Sequence, residues 1–94
     1  MLARGDFVYF MHPYSLELIV LRVKSCGPKC CILESYWGDS YRHTLSSLKS
    51  IRIYESIQEL IASLPRYTRK LPAVRCIDWE RLAARERLKF HERR

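Results

Sequence analysis

The chain has 94 residues, a hydrophobic share of 48%, seventeen Lys/Arg against ten Asp/Glu, and a formal charge of +7. That length holds one core of ordinary globular composition and little else. The longest apolar run, Leu18-Ile19-Val20-Leu21, falls far short of the roughly 20 residues that a membrane-spanning helix needs, so no membrane partner is expected.

The first segment in chain order, residues 7–53, reads as about five short strands with turn chemistry between them. Gly5-Asp6 opens a strand at Phe7-Val8-Tyr9-Phe10, where alternation puts Phe7 and Tyr9 on one face and Val8 and Phe10 on the other. His12-Pro13-Tyr14-Ser15 is a loop. Residues 16–23 form a second strand that is apolar on both faces at its middle, which requires cover on both sides. Cys26-Gly27-Pro28-Lys29 turns the chain into a third strand at residues 30–34. Tyr36-Trp37-Gly38-Asp39 is the next turn and residues 41–45 the fourth strand. Leu45-Ser46-Ser47-Leu48 reads as a single helical turn and Ile51-Arg52-Ile53 as a short last strand. Connections this tight exclude parallel pairing, which needs crossovers of a dozen residues or more. The sheet is expected to be antiparallel and strongly curved.

A helix follows. Ser56 and Glu59 have capping-box spacing, Ile57, Leu60, Ile61 and Leu64 share one face, and Pro65 ends the pattern. This helix is expected to cover an open end or outer face of the sheet. Residues 66–72 read as a basic linker, extended before Pro72. Asp78 is placed to cap a final helix running to about Phe90. The apolar residues of that helix, Trp79, Leu82, Ala83, Ala84, Leu88 and Phe90, form no clean stripe, which points to partial packing or to docking on a second molecule. The division expected is residues 1–65 as a barrel with a capping helix and 66–94 as a basic linker with a C-terminal helix.

The residues at Gly5-Asp6-Phe7-Val8-Tyr9, Tyr36-Trp37-Gly38-Asp39 and Leu45-Ser46-Ser47-Leu48 resemble the opening strand, third turn and closing turn of a Tudor-type SH3-like barrel. The resemblance covers about half the chain. It implies an α+β fold, mainly β, in which an antiparallel SH3-like barrel of about five strands is followed by two helices. It also implies recognition of a methylated Lys or Arg by an aromatic cage. Carried over by position, the cage residues are Tyr36, Tyr41 and an aromatic from the first strand or its loop, Phe10 or Tyr14. Leu16 or Leu18 replaces the aromatic usual at the start of the second strand, and Ser35 the usual acidic residue before the turn.

The charge points elsewhere. Residues 1–65 carry seven Lys/Arg against six Asp/Glu, and residues 66–94 carry ten against four, so nearly all the excess lies in the last third. Twelve of the seventeen cations are Arg, whose planar fork suits bidentate contact with phosphate. The expected nucleic-acid contacts are Arg66, Arg69, Lys70, Arg75, Arg81, Arg85, Arg87 and Lys89, with Arg93 and Arg94 beyond them, because neutralising phosphates needs repeated cations and no exacting geometry. The competing possibility is a helix laced with its own ion pairs through Glu80, Glu86 and Glu92. Tyr36 and Trp37 would supply an aromatic edge on which bases stack.

Metal and catalytic chemistry find little purchase. Cys26, Cys30 and Cys31 with His12 or His43 lack the second paired knuckle of a structural zinc site, and Cys26, Cys30, Cys31 and Cys76 are expected to remain thiols in a reducing cytoplasm. His12, His43 and His91 stand singly, and no phosphate loop or nucleophile elbow is present. The reading is a non-catalytic, cytoplasmic module without a cofactor. Its partner would be DNA or RNA; the alternative is a protein partner or self-association through the C-terminal helix.

Overall fold

Period-two alternation dictates a sheet with two covered faces. The computed structural model describes residues 2–92 of the chain, apart from the side chains of Lys49 and Glu92. Strands β1 (Phe7–Met11), β2 (Leu18–Cys26), β3 (Cys30–Glu34) and β4 (Ser40–Thr44) form an antiparallel meander in the order β1-β2-β3-β4. Five helical segments follow: α1 (Leu45–Ser50), α2 (Ile57–Ser63), α3 (Arg66–Arg69), α4 (Pro72–Arg75) and α5 (Trp79–Glu92). The molecule is thus a small α+β domain around an open four-stranded antiparallel sheet.

On one face of the sheet, Tyr9, Met11, Leu18 and Val20 pack with Ile57, Leu60, Val74, Trp79, Ala83 and Phe90 from the helices. On the other, Val8, Leu21, Val23, Cys31 and Leu33 pack with Leu48 of α1. The two-sided character of β2 is met by two separate clusters. Register follows from the same alternation: Phe10 pairs with Ile19 and Val8 with Leu21, while an irregularity between Val23 and Ser25 admits one extra residue. At the next turn Asp39 donates its backbone N–H to Ser35 Oγ (3.0 Å) and Ser35 donates its own to the Asp39 carbonyl (2.9 Å). Gly38 sits inside this turn at φ 99°, a left-handed conformation that glycine adopts without steric cost.

Several expectations are corrected. Ile51-Arg52-Ile53 is a turn, and pairing is made one residue later, where Tyr54 bridges Tyr9. The helical turn at Leu45 extends to Ser50, aided by Thr44 Oγ1 accepting the Ser47 N–H at 3.2 Å. The expected pair of helices becomes five helical segments. The basic linker holds two short helices: Pro65 is extended and starts α3, and Pro72, with φ preset for the purpose, starts α4. Only Leu71, just before Pro72, keeps the extended conformation expected there. Cys26 and Cys31 are joined by a disulfide across the β2–β3 hairpin, because register sets them directly opposite each other with Cα atoms 4.1 Å apart. Cys30 and Cys76 are free.

The helix caps match the sequence. Ser56 Oγ accepts the Glu59 N–H at 3.1 Å, and Asp78 Oδ1 accepts the Arg81 N–H at 3.2 Å. The ragged stripe of α5 also has a resolution. Trp79, Ala83 and Phe90 are buried against the sheet, and the break between Ala83 and Phe90 is filled by half-buried Arg87, which donates from Nη1 to Tyr9 Oη at 2.7 Å. The Trp79 indole N–H donates to the Val74 carbonyl at 2.8 Å and fastens α4 to α5. Leu88 faces away and is exposed.

Candidate nucleic-acid interface

Burying Trp79, Ala83 and Phe90 fixes which side of α5 meets solvent. At 100° per residue, Arg81 and Arg85 lie about half a turn from the buried stripe, and both are exposed. Arg66 and Arg69 on α3, Lys70, and Arg75 on α4 are exposed as well. The carboxylates of this stretch are largely engaged: Asp78 caps α5, Glu80 accepts from Gln58 Nε2, and Glu86 pairs with Lys89 at 2.8 Å. Six of the sequence-predicted cations therefore stand on the outer surface of the helical layer.

Two of the expected contacts are held internally. Arg87 is bound to Tyr9. Lys89 pairs with Glu86 and lies 5.0 Å from the centre of the Tyr36 ring. Its hydrogen bond to Glu86 raises the Lys89 pKa above the ordinary lysine value. Arg22 behaves similarly, with its guanidinium 5.0 Å from the Phe90 ring centre and 2.8 Å from Glu34. Arg93 and Arg94 lie outside the described residues.

Tyr36 packs with the helical side, its ring 6.4 Å from that of Phe90, and it also meets the Trp37 ring edge-on at 5.0 Å, so the structure brings the expected pair Tyr36 and Trp37 together. Tyr14 is 91% exposed in the β1–β2 loop beside His12. The structure does bring Phe10 and Tyr41 together, at an apolar cavity of about 270 Å³ also lined by Trp37, His43 and Ile51. Trp37 is 45% exposed. Its indole N–H donates to Asp39 Oδ2 at 2.6 Å, and the Tyr41 hydroxyl donates to the same oxygen at 3.4 Å. One carboxylate thus orients two rings.

Beside this cavity lies another of about 430 Å³, lined by His12, Leu16, Arg52, Pro65 and Tyr67 among others. Phe10 and Ile51 line both cavities, so the two adjoin. Arg52 and Tyr67 are not among the expected site residues, and His43 enters there only as a possible zinc ligand. Tyr67 is signalled by its place between Arg66 and Arg69, an aromatic among cations; nothing local signals that Arg52 and His43 approach Phe10, because that depends on how distant elements pack. Among the described residues no group of three or more His, Cys, Asp or Glu side chains is arranged to hold a metal ion, and no helix is long and apolar enough to cross a membrane. No protein-family model matches the chain, and no curated protein or solved structure matches it either.

Proposed function

We propose that this chain is a small non-catalytic module that binds nucleic acid and serves a larger cytoplasmic assembly as an accessory or regulatory part. The observation that carries the reading is the set of six exposed cations, Arg66, Arg69, Lys70, Arg75, Arg81 and Arg85, on a surface whose carboxylates are largely engaged in caps and pairs. Such a surface gains affinity by displacing the counterions condensed on phosphates. The same proposal holds the curved sheet to be a Tudor-type SH3-like barrel, with the Tyr9–Tyr54 bridge as its closing contact.

The test is fluorescence polarisation of labelled single-stranded and duplex oligonucleotides titrated with the full chain at several salt concentrations. Binding should weaken as salt rises. Replacing Arg66, Arg69, Arg81 and Arg85 together by Ala should make the logarithmic salt slope shallower by up to about 3 on a single strand, at roughly 0.7 per phosphate contact. No binding by the parent chain even at low salt would sink the reading.

A second reading, a protein partner carrying a methylated Lys or Arg, is favoured by one feature. Trp37 and Tyr41, both anchored on Asp39, stand with Phe10 around one apolar cavity, where ring faces attract a desolvated cation. Titration with trimethyllysine peptides, followed by Trp37 emission, tests it.

A further inference from the structure

We propose that the groove through Trp37, Tyr41, Phe10, Ile51, Arg52 and Tyr67 seats a short run of unpaired nucleotides, so that the module prefers single strands over duplex. This rests on the nucleic-acid reading above and adds a path and a strand preference to it. Three features of the groove carry the proposal.

Its lining carries a cation and no carboxylate. Neither adjoining cavity is lined by Asp or Glu, and Arg52 lines one of them, while the Asp39 carboxylate beside the other is engaged by hydrogen bonds from Trp37 and Tyr41. Two other cavities do carry carboxylates: Glu55 and Glu59 in one of about 1010 Å³, and Asp6 and Glu55, with Arg87, in one of about 370 Å³. They suit phosphates less well.

Its rings are shared between the two cavities. Trp37 and Tyr41 line one, Tyr67 lines the other, and Phe10 lines both. Tyr67 is 73% exposed, far more than a packing role requires. It lies on α3 between Arg66 and Arg69, two exposed cations next to it in the chain. Alternating rings and cations are the arrangement that holds single strands, with bases on the π-faces and phosphates on the cations. A duplex keeps its bases stacked inside and could use only the cations.

The third feature is backbone strain. Leu16 and Arg52 hold left-handed φ values of 58° and 59°, and both line the same cavity. A non-glycine residue holds this conformation only against a steric cost, and such strain gathers at binding sites. At Arg52 it places an exposed cation at the groove while Ile51 on one side and Ile53 on the other face the rings' cavity.

The experiment compares labelled oligo(dT), oligo(U) and duplex of equal length on the full chain, read by polarisation and by Trp37 emission, with a Trp37→Phe variant separating its signal from that of buried Trp79. Tyr67→Ala and Trp37→Ala remove exposed or partly exposed rings, and their thermal melts establish that each is folded. Each should weaken single-strand binding about thirtyfold, the middle of the range for losing one stacked base, and leave duplex binding unchanged. Arg52→Gly keeps the left-handed backbone without its cost, so it should melt higher than the parent yet bind single strands more weakly. If duplex binds as well as single strand, and the ring variants change nothing, the groove proposal falls while the cationic surface stands. If the parent chain binds no oligonucleotide at low salt, both fall. Quenching of Trp37 by a trimethyllysine peptide and not by oligonucleotides would overturn the proposal in favour of a protein ligand.

Discussion

Replacing Phe90 by Ala tests whether α5 belongs to the core of the domain. Phe90 is 7% exposed. Its ring meets Phe7 edge-on at 5.3 Å and Tyr36 at 6.4 Å, and the Arg22 guanidinium lies 5.0 Å from its centre. Truncating a buried Phe costs about 3–5 kcal/mol through lost transfer energy and the cavity left behind. Phe90 stands in the last turn of α5, where the chain can relax into part of that space, so about 3 kcal/mol is expected. A domain of this size has roughly 5–14 kcal/mol of stability, at 0.05–0.15 per residue. The loss should therefore lower the melting temperature by about 12–24 °C, at roughly 4–8 °C per kcal/mol. Leu88→Ala, two residues away but exposed on the outer side of the same helix, should change stability by less than about 0.5 kcal/mol. Urea and thermal unfolding followed by circular dichroism read both variants. Equal effects of the two, or a Phe90→Ala loss below about 0.5 kcal/mol, would refute the claim that α5 is a structural layer of the domain.

Tyr9→Phe removes the acceptor of half-buried Arg87 and should cost about 1–2 kcal/mol in urea unfolding, since bonds to charged groups are the stronger ones; no loss would mean that water replaces the hydroxyl freely. Ser56→Ala deletes the α2 cap and should cost about 1 kcal/mol by the same assay, with Ser56→Asp restoring most of it. Asp39→Ala frees the rings of Trp37 and Tyr41. It should leave stability within about 1 kcal/mol, as for an exposed turn, while shifting Trp37 emission; an unchanged emission spectrum would show that the carboxylate does not hold the indole.

Local chemistry made much of this architecture legible. Gly38 and Pro28 mark turns, Ser56 and Asp78 mark helix starts, and alternation along β1 and β2 assigns residues to faces before any fold is known. These signals act within a few residues, which is why they can be read without a structure. The helices of the linker are hidden in the sequence because proline marks breaks as well as starts. Pro65 and Pro72 each start a helical turn, since proline at a first helical position, or just before one, gives up no hydrogen bond that the helix needs. The disulfide is hidden likewise, because it depends on the cross-strand register that sets Cys26 opposite Cys31.

What the sequence by itself determined is the antiparallel meander, the capped helices and the concentration of positive charge in the last third. Only the tertiary structure decided which of those charges face outward. Arg87 is held by Tyr9 across a separation of 78 residues, and Lys89 by Glu86 and the Tyr36 ring, whereas Arg66, Arg69, Lys70, Arg75, Arg81 and Arg85 are exposed. It likewise decided that Phe10 and Tyr41 meet at one cavity with Trp37, while Tyr36, edge-on to Trp37, packs against the helical cluster. The physical reason is that a side chain's face is set by its own strand or helix, but its neighbours are set by how distant elements pack, and a local pattern carries no record of that.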